Sequence, residues 1–285
     1  MTDSDALRAR IASGPVLMPG VWDPWSALLA QQAGFDTVFV SGFALAGTLL
    51  GEPDIGILGR GEVADAARRI CAQVPDVSVV VDADTGYGDA DEVRRTVGLW
   101  EGAGATGMFL EDQVWPKRCG HMAGKEVVDT REWLEKLRAA LDERHDLHVT
   151  ARTDARAVTG LADALERARM ARDLGVDAVF VEAPESVAEL EQIAVALPGV
   201  ALVANMVEKG RTPLLTPAEL ADLGFSLVVS PLSGLLSATK ALGEAYARLH
   251  ADGSLRDHTT THATFDEFTT LVGLEKHLAD DARDR

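Results

Sequence analysis

The chain has 285 residues, 47% hydrophobic and 25% charged, the profile of an ordinary globular protein. Its 45 Asp and Glu against 27 Lys and Arg give a formal net charge of -18, so nucleic acid and anionic membrane are excluded as partners by repulsion. An anionic small substrate stays open, because a local cluster of Arg, Lys and metal ion can reverse the field inside a pocket.

The first residues, Met1-Thr2-Asp3-Ser4-Asp5, are polar and acidic, so no secretion leader is expected there. No apolar run approaches the ~18 residues that span a bilayer. Cys71 and Cys119 are the two cysteines, too few for a disulfide framework, and a reducing cytoplasm is expected.

Val16-Leu17-Met18 predicts a first strand. A pattern then recurs: a helix ends in small residues and Gly, and an apolar run follows. It gives strands at Thr37-Val38-Phe39-Val40, Met108-Phe109-Leu110, Ala178-Val179-Phe180-Val181 and Leu227-Val228-Val229. Ser78-Val79-Val80-Val81, His148-Val149-Thr150-Ala151 and Ala201-Leu202-Val203-Ala204 fit between them, making eight. The runs are apolar on successive residues, so both strand faces should be buried, as in a parallel sheet. Helices are predicted over Asp91–Glu101 with Asp89 as N-cap, and over Asp129–Glu143, Leu161–Leu174, Ser186–Ala196, Thr216–Asp222 and Leu235–His250. Cys71 falls in a further helical stretch and should be packed. This alternation predicts an α/β chain, a (β/α)8 barrel over residues 1–250, with an open doubly wound sheet as the alternative. Residues 251–262 read as polar and turn-like. One amphipathic helix, Phe265–Leu278, should follow, so 251–285 forms a helical extension whose apolar side needs a partner, such as a neighbouring subunit.

Catalysis in a barrel sits at the carboxyl ends of the strands. Those ends carry Ser41-Gly42, Asp82 and Asp84, Glu111-Asp112, Arg152 and Asp154, Glu182, Asn205 and Ser230 in turn. Asp82 and Asp84 are two apart, which on an extended segment puts both carboxylates on one face. Backed by Glu111, they suit Mg²⁺, with Mn²⁺ as the alternative. Arg152 is a candidate carboxylate clamp or the partner of an ion pair with Asp154 or Glu182. Asp54, in Gly51-Glu52-Pro53-Asp54-Ile55-Gly56, reads as a turn residue or a pocket acid. Lys117-Arg118-Cys119-Gly120-His121 sets a thiol between cations and a histidine; positive charge favours the thiolate, and Gly120 leaves room for a substrate to approach. His121 reads as tuning Cys119, binding substrate or simply exposed. The other histidines show no ligand spacing.

Taken in order, Val40-Ser41-Gly42, Leu50 to Gly56, Val81-Asp82-Ala83-Asp84-Thr85-Gly86-Tyr87-Gly88, Glu111-Asp112-Gln113, Pro116 to His121, Ala151 to Ala155, Ala204 to Glu208 and Pro231-Leu232-Ser233 resemble the isocitrate lyase/phosphoenolpyruvate mutase superfamily over roughly residues 15–250. The resemblance implies a (β/α)8 barrel, Mg²⁺-dependent chemistry on 2-oxo or 2-hydroxy acids, and tetramers that exchange C-terminal helices. It implies Asp82 and Asp84 as metal ligands with Glu111 behind them. Ser41, Gly42, Phe43, Gly120, Arg152, Glu182 and Asn205 would contact substrate. Cys119 would be the general acid on a closing loop, with Lys117 and His121 beside it. For the hydroxyl base, Glu182, Asp54 and a water on the metal stay open. The Lys-Arg-Cys-Gly-His loop is similar to that of the methylisocitrate and dimethylmalate lyases, and of carboxyphosphonoenolpyruvate mutase. Two positions depart from the methylisocitrate lyases: Leu236 and Thr261 stand where those enzymes carry arginines for further carboxylates. Met206-Val207 matches the phosphonomutase version. The expected reaction is therefore cleavage of a 2-hydroxy dicarboxylate such as a substituted malate, with a phosphorus–carbon mutase or an oxaloacetate-type hydrolase as alternatives.

Overall fold

The apolar runs form eight parallel strands in a computed structural model that describes residues 3–120, 122, 124–256 and 262–283. The strands are β1 (Val16–Val21), β2 (Thr37–Val40), β3 (Ser78–Asp82), β4 (Gly107–Glu111), β5 (His148–Thr153), β6 (Ala178–Val181), β7 (Ala201–Asn205) and β8 (Leu227–Ser230). Each pairs with the next, and β8 returns to β1 with Val16 opposite Leu227 and Met18 opposite Val229. Closure removes the open edges that a doubly wound sheet would leave. The chain is a (β/α)8 barrel.

The helices are α1 (Asp3–Ser13), α2 (Pro24–Gln32), α3 (Gly42–Leu45), α4 (Arg60–Gln73), α5 (Ala90–Ala103), α6 (Thr130–Glu143), α7 (Leu161–Leu174), α8 (Val187–Ala196), α9 (Pro217–Asp222), α10 (Ser233–Asp252), α11 (Phe265–Leu271) and α12 (Leu274–Arg283). Their starts follow local chemistry. Asp89 accepts from the backbone N–H groups of Asp91 and Glu92 at 3.1 Å, and Thr216 and Glu219 cap α9 reciprocally.

Two apolar layers result. Met18, Phe39, Val80, Phe109, Phe180, Val203 and Val229 fill the barrel interior, and Leu7 of α1 plugs its amino-terminal end. Alternate residues such as Val38, Val79, Met108 and Val149 pack outward against Trp100 and Trp133 of the helices. Both strand faces are thus covered, which is why the runs lack polar alternation. The helix α1 was not foreseen from its acidic start. It is held by the Ser4 hydroxyl, which donates to the Thr106 carbonyl at 2.7 Å, and by Arg8, paired with Asp146 at 3.3 Å and Asp177 at 3.1 Å.

The C-terminal region departs from expectation. The helix α10 runs past 250 to Asp252, so no turn begins at 251. The single helix Phe265–Leu278 is two helices, α11 and α12, because Gly273 takes a left-handed φ of 79°. No residue of α10 or α11 is buried, and Tyr246, Phe265, Phe268 and Leu242 are exposed.

Candidate active site

The strand ends gather where the barrel opens. The Ser41 side chain caps the short α3 by accepting from the Ala44 N–H at 3.3 Å. A Cβ added to the next residue, Gly42, would lie 3.1 Å from Asp82 Oδ2 and 3.5 Å from Asp84 Oδ1. Both aspartates therefore point to one place, but not by strand alternation. The strand stops at Asp82, and Asp84 has a φ of 45°, its N–H turned back onto Asp82 Oδ1 at 3.1 Å. A tight turn, not a pleat, brings the pair together.

The cysteine segment is a lid. Gln113 bridges to Val127, and the Val114 N–H donates to the Glu126 carbonyl at 2.8 Å, which turns the segment back so that Lys117, Arg118, Cys119 and Gly120 line the mouth. Four anchors hold it. Gln113 grips Arg118 through both its amide atoms, at 2.8 and 3.0 Å. The Cys119 N–H donates to the Asp54 carbonyl at 3.1 Å. Lys117 Nζ lies 2.5 Å from Asp54 Oδ1 and 2.8 Å from Asp84 Oδ1. Lys125 Nζ donates to the Gly120 carbonyl at 2.5 Å and to Asp154 Oδ1 at 2.6 Å. Lys117, read from sequence as a neighbour of the thiol, instead sends its ammonium down among the carboxylates, where it is 3% exposed. Gly120 was read as room for substrate. Here its Cα packs onto the floor of the site: a Cβ would meet Arg152 Nη2 at 2.6 Å and Glu182 Cδ at 2.7 Å. His121 lies outside the described residues, as does Thr261.

Arg152 sits in a cage of carboxylates. Its Nε and Nη2 donate to Asp154 at 2.9 and 3.2 Å, Nη2 pairs with Glu182 at 3.3 Å, and Nη1 with Glu111 at 3.4 Å. The ion-pair arrangement is thus the one present. Asn205 Nδ2 donates to Glu182 at 3.2 Å, and the guanidinium lies over the Phe180 ring at 5.3 Å. Asp54, Asp82, Asp84, Glu111, Asp154 and Glu182 are all buried, against the buried cations Lys117, Lys125 and Arg152, a formal excess of three negative charges were every acid ionised. The consequence falls on the proton affinities of these groups. Burial, with repulsion from Asp82 and Asp54, pushes Asp84 up to about 7 despite Lys117. Burial likewise holds Glu111 well above its usual range, with Arg152 opposing and Asp154 adding to the rise. Burial alone would lower the Lys117 ammonium, but Asp84 and Asp54 outweigh it and hold it well above its ordinary value. Asp154 ends below its ordinary value, because Arg152 and Lys125 overcome its burial.

A divalent cation fits this donor set. Among the described residues no three acidic, Cys or His side chains converge on one ion position. Mg²⁺ does not require that, since it keeps several waters and is held by one or two carboxylates. Asp82 and Asp84 supply those, the acidic excess favours a cation, and Glu111 Oε1 is buried with no hydrogen-bond partner among the described residues.

One cavity collects most of the predicted residues. Ser41, Phe43, Asp54 and Asp82 line one side, Lys117, Cys119 and Gly120 the lid, and Arg152, Glu182 and Asn205 the far side. Asp84 and Glu111 reach it through Lys117 and Arg152. Leu236 does not line it and is 44% exposed. Sequence reasoning missed Lys125 and Gln113, which anchor the lid, and Arg167, which pairs with Asp112 at 3.2 Å beneath it. A lysine in a polar loop gives no signal of burial; only Gln113, directly after Glu111-Asp112, stood in a recognised motif.

Residues 7–250 match the family described as phosphoenolpyruvate phosphomutase. The chain is 46% identical over 275 residues to the chloroplastic carboxyvinyl-carboxyphosphonate phosphorylmutase of Arabidopsis thaliana, covering 95% of this chain and 81% of that one. It is 42% identical over 263 residues to 2,3-dimethylmalate lyase of Eubacterium barkeri, covering 92% and 90%. Among solved structures, a phosphonopyruvate hydrolase in complex with oxalate and Mg²⁺ superposes with a TM-score of 0.89 at 31% identity, covering 99% of each chain.

Proposed function

The chain belongs to the phosphoenolpyruvate phosphomutase family, within the isocitrate lyase/phosphoenolpyruvate mutase superfamily of lyases and mutases, and from that premise we propose that it is a Mg²⁺-dependent carbon–carbon lyase. Its substrate is a 2-hydroxy dicarboxylate such as a substituted malate, and its products are a 2-oxo acid and a second carboxylic acid. The observation that carries this reading is the Cys119 lid, seated over an acid-lined mouth with Gly120 against Arg152 and Glu182.

A cation held by Asp82 and Asp84, with Glu111 behind them, would polarise the 2-hydroxy acid end and offset the enolate-type charge that develops. The chain's own groups do the rest. Arg152, Asn205 and Ser41 orient the carboxylate and hydroxyl oxygens. The hydroxyl proton leaves to a carboxylate of the mouth. The carbon–carbon bond breaks, its electron pair moves to the carbon beside the second carboxylate, and the Cys119 thiol protonates that carbon. Lys117, Lys125 and Gln113 keep the lid closed, so bulk water is kept from the carbanion. General acid help of this kind contributes about 10²–10⁴-fold. Cys119→Ser should lose that much in kcat, read as 2-oxo acid release from a panel of 2-hydroxy diacids, and keep Mg²⁺ and pyruvate binding by calorimetry. Near-normal turnover would remove Cys119 from this role.

Val207 in the cavity wall and the phosphorylmutase relative favour one second reading, a mutase forming a phosphorus–carbon bond. A new carbon-bonded phosphorus signal in ³¹P NMR with a phosphoenolpyruvate-type substrate would establish it. An oxaloacetate-type hydrolase would use the same residues with water as the attacking group. We further propose a cytoplasmic homo-oligomer, a tetramer, supported by the exposed apolar residues of α10, α11 and α12. Among the described residues no helix is long and apolar enough to cross a membrane.

A further inference from the structure

Two cations of the mouth share the Asp154 carboxylate, and they share it unequally. Lys125 Nζ donates to Oδ1 at 2.6 Å. Arg152 reaches the same oxygen through Nη2 only at 3.2 Å, and holds Oδ2 through Nε at 2.9 Å. The first is a short charge-assisted bond; the second is at the long limit for an N–H donor. Asp154 is fixed where it stands. Its N–H donates to Asp112 Oδ1 at 2.8 Å, and Asp112 is held in turn by the Thr153 hydroxyl at 2.6 Å and by Arg167 at 3.2 Å. Asp112 and Asp154 have no exposed surface. Arg152 Nη2 is also the donor beneath the lid. A Cβ on Gly120 would lie 2.6 Å from it, and its contact with Glu182 is at 3.3 Å. Lys125 Nζ donates to the Gly120 carbonyl as well, so its hold on Oδ1 goes with a seated lid.

We infer that Lys125 and Asp154 are positioning residues for Arg152: seating the lid hands Asp154 Oδ1 to Lys125 and frees Arg152 Nη2 for a carboxylate of the substrate. The inference rests on Arg152 as the carboxylate clamp of the proposed reaction. With Lys125 withdrawn, both oxygens of Asp154 fall to Arg152, in the bidentate pairing that holds a guanidinium most firmly. A guanidinium so occupied has less to offer an incoming carboxylate. The coupling is reciprocal: a ligand that draws on Nη2 strengthens Lys125 on Oδ1 and holds the lid down. Couplings between two such events are typically about 5–150-fold.

Pyruvate is the probe, since its binding is measured without turnover. In calorimetric titration of the Mg²⁺-loaded protein, its Kd should be about tenfold higher in Lys125→Met than in the unaltered chain, with the Kd for Mg²⁺ unchanged. Pyruvate should protect the lid from trypsin at Lys117 and Arg118 about tenfold in the unaltered chain, and not at all in Lys125→Met. Asp154→Asn separates positioning from mere support. Removing the rival for Nη2 should leave pyruvate bound at least as tightly as before, and Lys125→Met should then add no further loss. Pyruvate binding weakened about tenfold by Asp154→Asn, or an equal loss from Lys125→Met in both backgrounds, overturns the inference. Should Asp154→Asn fail to fold, the trypsin comparison decides, and equal protection in the two proteins is the overturning result. Pyruvate that does not bind the unaltered chain overturns the clamp and the inference together. Release of 2-oxo acid from hydroxy diacids judges the lyase reading separately: no release with the coupling intact sinks that reading alone.

Discussion

Gly120→Ala isolates what the lid does. The backbone at Gly120 suits any residue, so the substitution acts through space alone. The added Cβ would sit 2.6 Å from Arg152 Nη2 and 2.7 Å from Glu182 Cδ, where an ordinary contact begins near 3.4 Å, a shortfall of about 0.8 Å. Neither neighbour can yield cheaply. Arg152 is fixed by Asp154, Glu182 and Glu111, and Glu182 by Arg152 and Asn205. The lid must therefore lift by most of an ångström, stretching the 2.5 Å bond from Lys125 to the Gly120 carbonyl and moving the Cys119 thiol. A displacement near 1 Å at a reacting group costs about 10²-fold in rate, and overpacking costs about 1–3 kcal/mol locally. We expect kcat for 2-oxo acid release to fall about 100-fold. Trypsin should cut faster within residues 115–125, and circular dichroism should report an unchanged barrel. Normal kcat with an equally protected lid would refute the closed-lid argument.

Lys125→Met keeps the aliphatic stem but removes the ammonium shared by Gly120 and Asp154; about tenfold slower turnover, faster lid proteolysis and a loss of about 1–3 kcal/mol should follow, and unchanged proteolysis would refute the anchor. Leu7→Ala opens the plugged end of the barrel and should cost about 2–5 kcal/mol in urea unfolding with kcat retained; a loss below about 1 kcal/mol would show that α1 is not part of the core. His148, buried at the start of β5 with Nδ1 lacking a hydrogen bond among the described residues, has its pKa lowered by burial from 6.5 to about 4. Its folded value is depressed, so the unfolded chain takes up the proton first. Its contribution to stability should be full above pH 6.5, fall by about 3 kcal/mol between 6.5 and 4, and be flat below. His148→Asn should remove that component of the pH dependence of unfolding, and identical pH slopes would count against it. Phe268→Asp should lower the mass seen by light scattering, since Phe268 is 48% exposed on α11; a monomeric wild-type chain would contradict the proposed assembly.

Much of the fold was legible because its determinants are local. Continuous apolar runs such as Val79-Val80-Val81 require burial on both faces, and Asp89, Ser186 and Thr216 cap helices within three residues of themselves. The polar groups at the strand ends were legible for the same reason, since each directly follows its run. The break at Gly273 was also local in cause, but the amphipathic period across it masked a glycine that ends α11.

From the linear order alone came the eight strands, the barrel class, the acidic mouth and the Lys117-to-Gly120 segment beside it, each written in a few contiguous residues. Only the folded chain decided how the site is wired: Asp84 in a turn, Lys117 directed to Asp54 and Asp84, Gly120 pressed onto Arg152, Lys125 reaching Asp154 across 29 residues. Those partners are distant in sequence and meet because closing the barrel buries more acids than bases at one end, where each buried charge takes whatever opposite charge lies within reach.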